Sequence, residues 1–157
     1  MPSPLRIAMP PFSTRRAAHI ALGRRGERCA RTLLRERGLD ILVTNYRGPR
    51  GEIDIVARDD TVLCFVEVKT RHRIVRSRPA DAVGTAKKHS LSRTAHQYLR
   101  EIGWPNVPYR YDIVEVVLEG RRLREIRHLP RAFTEEDVRR TRRRLAMQPP
   151  AAGTARE

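Results

Sequence analysis

The chain has 157 residues, room for one domain with flexible ends. It carries 33 Lys and Arg against 18 Asp and Glu, a net charge of +15, so it attracts polyanions, nucleic acid first among them. No apolar run approaches the roughly 18–20 residues that span a membrane, which excludes a membrane-spanning class.

Cys29 and Cys64 fit neither a disulfide framework nor a zinc spacing, and Cys64 reads as a small core residue. The apolar stretch after Arg15-Arg16 is too short for an export signal, so a cytoplasmic location is expected.

In chain order, residues 1–16 hold four prolines without apolar periodicity and predict a disordered leader. The domain is expected over 17–133. Its first helix runs from Arg16 to Arg37, with Leu22, Ala30, Leu33 and Leu34 on one stripe and Gly38 ending it. Strands are predicted at Asp40–Tyr46, Glu52–Arg58 and Val62–Thr70, joined by Gly48-Pro49-Arg50-Gly51 and by Asp59-Asp60 into a meander.

A basic loop follows, from Arg71 to Pro79, and then a helix over Ala82–Ile102 that breaks at Gly103-Trp104-Pro105-Asn106. Further strands are predicted at Tyr109–Leu118 and Leu123–Leu129. Thr134 as N-cap, Asp137 in a capping box and a Phe133/Val138 staple open a basic helix over 134–147. Residues 148–157 read as a disordered tail. The order implies a mixed α/β sheet flanked by helices.

The chemistry concentrates in Gly51-Glu52-Ile53-Asp54-Ile55-Val56 and Phe65-Val66-Glu67-Val68-Lys69. Glu67 and Lys69 lie two apart in a strand and project to one side. If these strands are neighbours, Asp54 sits beside Glu67. Opposed carboxylates are destabilising unless something offsets them, and a divalent cation does so. Magnesium is held by one or two carboxylates plus substrate phosphates. Asp54 and Glu67 are therefore the candidate metal ligands, with Lys69 positioned to orient water or stabilise phosphoryl charge. A solvent-facing Glu–Lys alternation is the simpler alternative, and Asp54 on the preceding strand tips the balance against it.

Glu27 shares a helix face with Leu34 and either points toward the sheet or pairs with Arg31. Glu52 is expected to share a face with Asp54, one pleat along, and to support it, with a salt bridge at the turn end as the alternative. Arg47, Arg71, Arg73, Lys87 and Lys88 are the candidate phosphate contacts. Asp112 reads as structural, paired with a nearby arginine. No phosphate-binding Gly-rich loop, nucleophile elbow or histidine metal spacing occurs.

Gly26-Glu27, Asn45-Tyr46-Arg47, the 51–57 segment and Phe65 to Arg71 together resemble the bacterial YraN family, over roughly Leu22 to Phe133. The resemblance implies a restriction-endonuclease-like fold, near Holliday-junction resolvases. It places Glu27, Asp54, Glu67 and Lys69 at the helix-glutamate and PD-(D/E)xK positions, with Ile53 where the nominal proline stands. It implies Mg²⁺ or Mn²⁺, DNA as partner, and branched DNA by analogy only. A resolvase needs two active sites, hence a homodimer.

The function expected is metal-dependent hydrolysis of DNA phosphodiesters. Two alternatives stand beside it: a non-catalytic nucleic-acid binder that keeps the fold, and an interaction module acting through its basic C-terminal helix.

Overall fold

Period-two patterning over three short apolar runs, then a helical stripe, then two more strands, produces a sheet sandwiched between helices. The computed structural model describes residues 12–72 and 84–146. Its elements are α1 (Phe12–Glu36), β1 (Asp40–Gly48), β2 (Gly51–Asp59), β3 (Val62–Arg71), α2 (Thr85–Glu101), β4 (Tyr109–Glu119), β5 (Arg122–Phe133) and α3 (Glu135–Ala146). Helix α1 starts at Phe12 rather than Arg16, so residues 12–16 of the expected leader are helical. The remainder of the leader, residues 73–83 of the basic loop and residues 147–157 lie outside the described residues.

The strands form one sheet in the order β1-β2-β3-β4-β5. Neighbours are antiparallel except β3 and β4, which run parallel and are joined through α2. The fold is mixed α/β and restriction-endonuclease-like.

Alternation along β3 divides the core. Leu63 and Phe65 pack with Leu91, Ala95, Tyr98 and Leu99 of α2, whereas Cys64 and Val66 pack with Ala30 and Leu34 of α1. Each helix thus covers one face of the sheet, and a buried strand apolar on both sides results. Gly26 is where α1 comes closest to β3: a Cβ there would lie 1.8 Å from Thr70 Oγ1.

Helix α3 opens as its sequence indicates. Thr134 Oγ1 accepts the Asp137 N–H at 3.2 Å, and Asp137 Oδ2 accepts the Thr134 N–H at 2.8 Å. Phe133 and Val138 are both buried in the α2-side core. The first turn of α3 is therefore part of the domain.

A buried carboxylate holds β4 to β5. Their ladder slips between Tyr111 and Ile113, and Arg131 adopts a left-handed φ of 53°. There Asp112 Oδ1 accepts the Arg131 N–H at 2.9 Å and Arg110 Nε–H at 3.0 Å, while His128 Nε2 lies 2.8 Å from Oδ2. Burial pushes the Asp112 carboxyl up, but His128, the Arg131 amide and Arg110 outweigh it and hold it below the usual range.

Asp112→Ala should lower the unfolding free energy by about 1–3 kcal/mol, because it leaves the Arg131 N–H and the His128 ring without their buried partner; a shift in urea midpoint measures this. The Asp112 pKa is depressed on folding, so its contribution is full above the unfolded value of about 3.9. It is lost as pH falls through the lower folded value. The gap between wild type and variant should therefore close only below about pH 4.

Candidate active site

Antiparallel pairing of Ile55 with Val66 brings the Asp54 and Glu67 positions side by side. The alternation of β2 breaks at this point: Ile53 packs on the α2 side of the sheet and Ile55 on the α1 side. On β1, Asn45 turns to φ 53° between the Thr44–Ile55 and Tyr46–Ile53 pairs. Asparagine is among the few non-glycine residues that adopt this region readily. The kink carries Asp54 to the rim of both faces, where its Oδ2 accepts the Val68 N–H at 2.7 Å.

Glu67 follows the regular alternation of β3 onto the α2 side and is 3% exposed. Lys69 Nζ lies 2.9 Å from its Oε1, and Lys87 Nζ, from the first turn of α2, lies 3.1 Å from its Oε2. The Lys87 ammonium stands off the line of a hydrogen bond, so Oε2 is buried without one. A buried carboxylate oxygen with an unused lone pair is costly, and it is a ready acceptor for a cation or a water.

The field of this cluster acts on Asp54. Burial first, and the Glu67 carboxylate second, push its carboxyl up to about 7, against the pull of the Val68 N–H and Lys87; Glu27 adds to the rise. Burial works against the charge of Lys87, but Glu67, Asp54 and Glu52 together outweigh it and raise its pKa.

Glu27 reaches the centre from the opposite face, with its Oε2 accepting from Asn45 Nδ2 at 3.2 Å. Its partner is therefore Asn45. Glu52 faces Arg47 across the hairpin end at 3.8 Å, both side chains exposed, and adds to the negative field on Lys87. Arg47 is thus at the rim of the centre.

Arg71 ends β3 on the side of Lys69, whereas Lys88 turns to α3, its Nζ 5.5 Å from the Phe133 ring centroid. Arg73 lies outside the described residues. The structure therefore brings Glu27, Asp54, Glu67, Lys69 and Lys87 together and leaves Lys88 apart. Sequence reasoning missed two roles. Asn45 orients Glu27, and Lys87 pairs with Glu67 rather than standing free for phosphate. An asparagine between β-formers is a signal for the first; the second depends on long-range packing. Among the described residues, no three His, Cys, Asp or Glu side chains form a ready-made metal cage.

The chain matches the model of the "Uncharacterised protein family UPF0102" over residues 26–116, the segment that carries all five converging side chains. The chain belongs to this family, the YraN family. A UPF0102 protein of Syntrophotalea carbinolica is 44% identical over 114 residues, 73% of this chain and 92% of that protein. One from Chlorobaculum parvum is 43% identical over 121 residues, 74% of this chain and 94% of that protein. One from Chloroherpeton thalassium is 37% identical over 101 residues, 64% and 78% of the two chains. None of these family names specifies a reaction. Among the described residues, no helix is long and apolar enough to cross a membrane.

The crowding of carboxylates at the kink has a measurable consequence. Asp54→Asn keeps an acceptor for the Val68 N–H and removes the conflict with Glu67. In metal-free buffer at pH 8 it should stabilise the protein by on the order of 1 kcal/mol, read as a rise in melting temperature.

Proposed function

We propose that this protein is a metal-dependent endonuclease that hydrolyses phosphodiester bonds in DNA. The observation that carries the reading is the buried Glu67 carboxylate, with one oxygen lacking a hydrogen bond, set beside an Asp54 whose pKa is raised to about 7. Perturbed carboxylates in a basic surrounding are typical of functional sites.

The donor set suits a hard divalent cation such as Mg²⁺ or Mn²⁺, which asks for one or two carboxylates and keeps waters in its remaining positions. Asp54 and Glu67 would hold it, with Glu27 close behind. When bound, such an ion polarises a phosphoryl oxygen and lowers the pKa of a coordinated water.

The remaining work falls to the chain itself. Lys69, on the same strand face as Glu67, supplies a positive charge where the phosphoryl oxygens gain negative charge. Lys87, 3.1 Å from the second oxygen of Glu67, offsets its charge. Arg47 and Arg71, at the rim, are placed for phosphates flanking the scissile bond. Branched DNA as the preferred form, and a homodimer to cut it twice, extend this reading by analogy of fold.

One observation favours a second reading, a non-catalytic binder. Lys69 and Lys87 already neutralise Glu67 at 2.9 and 3.1 Å, so the carboxylate has a structural role without metal.

Cleavage of linear, single-stranded and four-way branched DNA with Mn²⁺ separates the two. The wild type should cut, and Lys69→Ala and Glu67→Gln should each lose about 10²-fold or more. Binding without cleavage by any of them would establish the binder. Equal cleavage by all three would place the chemistry elsewhere.

A further inference from the structure

The outer side of the domain, between α2 and α3, carries a second assembly of nucleic-acid chemistry that the catalytic reading does not use. An open groove of about 610 Å³ is lined by Arg50, His89, Arg93, His96 and Arg139, with Glu135 at its base. Elsewhere some surface arginines are partnered, Arg58 with Asp40, Arg124 with Glu119, Arg127 with Glu125 and Arg140 with Glu136, and others, such as Arg122, are not. In the groove, Arg50, Arg93 and Arg139 are exposed and have no ion pair among the described residues.

The one carboxylate there is committed inward. Glu135 accepts from Tyr111 Oη and from Ser92 Oγ at 3.1 Å, and lies 3.0 Å from His96 Nε2. Exposed positive charge is left facing solvent.

The groove ends on an aromatic face. Helix α2 closes with the Gly103 N–H on Arg100 O at 3.1 Å and the Trp104 N–H on Leu99 O at 2.6 Å, both residues left-handed at φ 82° and 47°. This is the Schellman pattern. A positive φ is unusual for so bulky a residue and costs on the order of 1–3 kcal/mol. What it achieves is a fixed position for an indole that is 50% exposed. The ring lies 5.6 Å from that of His96, and His96 is in turn held by Glu135 and by Tyr109 Oη at 3.2 Å.

We infer that this groove and Trp104 form a track for a single-stranded nucleic-acid segment, its phosphates on Arg50, Arg93 and Arg139 and a base stacked on the Trp104 indole. Guanidiniums along a groove with an aromatic platform are the combination that binds unpaired strands. A duplex offers the same phosphates but keeps its base faces inside. Lys87, at the catalytic cluster, and Trp104 lie 17 residues apart at opposite ends of α2, about 25 Å at 1.5 Å per residue. That length suits a segment of several nucleotides, within the range of about 4–16 that single-strand grooves hold. If the nuclease reading holds, on which this clause alone rests, the substrate class is DNA with a single-stranded arm beside the scissile bond.

Trp104 is the only tryptophan of the chain, so its emission reports the platform directly. The experiment titrates the full chain, without divalent metal, with an oligothymidylate of about eight nucleotides, a duplex of equal length, and inorganic polyphosphate. Saturable quenching by the oligothymidylate alone is expected. With the anisotropy of a dye-labelled oligothymidylate as readout, since these variants lack the tryptophan, Trp104→Ala should weaken binding about 5- to 150-fold, the value of one stacked base, with Trp104→Phe restoring most of it. Arg93→Ala with Arg139→Ala should reduce the salt slope by about 1.4.

Binding without any change in emission, equal quenching by duplex, or wild-type affinity in Trp104→Ala would overturn the proposal. So would emission that depends on protein concentration alone, which would assign the Ile102–Trp104 patch to a second copy. The two readings fail separately. Quenching that persists while no DNA is ever cut keeps the track and removes the nuclease; cleavage with an inert Trp104 does the reverse.

Discussion

Removing the Glu67 carboxylate from water is the constraint around which the rest of the molecule is arranged. An ion buried in a central strand costs several kcal/mol unless cations and hydrogen bonds compensate it. Lys69 comes from the same strand by simple alternation. Lys87 comes from α2, so the charge of Glu67 also fixes how the start of that helix sits over the sheet. The compensation is incomplete, since Oε2 keeps no hydrogen bond. Such an acceptor is what the proposed metal site requires.

Local breaks in regularity serve this centre and its opposite end in the same way. At Asn45 and Asp54 the β1–β2 alternation fails, and the failure lets Glu27, on the other face, approach the same point. At Asp112 the β4–β5 ladder slips, and the side chain takes over the hydrogen bond of the displaced Arg131 amide. A carboxylate stands at each break. One is fully compensated and holds its proton weakly; the other is crowded by like charge and holds its proton tightly. That contrast distinguishes the two acids better than burial does, because both are withdrawn from water.

The distribution of charge matters more than its total. A net charge of +15 suits nucleic acid but does not say where it lies. Arg58, Arg124, Arg127 and Arg140 are each answered by a neighbouring acid, whereas the three arginines that line the α2–α3 groove are not and stand together. Position, rather than count, turns a basic chain into one with a direction along which a polyanion can run.

Much of this was legible in the sequence. Alternation placed Glu67 and Lys69 on one face, apolar spacing gave α1 and α2, and Thr134 with Asp137 marked the start of α3 within a residue. These features depend on residues a few positions apart, whose geometry the backbone period dictates. The resemblance to the YraN family added the fold. The pairing of Glu67 with Lys87, the bond from Asn45 to Glu27 and the turning of Lys88 toward Phe133 were not legible. Each depends on a kink or on packing between elements distant in sequence, which no local period encodes. The sequence by itself determined the elements and the acidic and basic groups available for chemistry. The tertiary structure decided which of them meet, because a buried charge selects its partner by proximity in space.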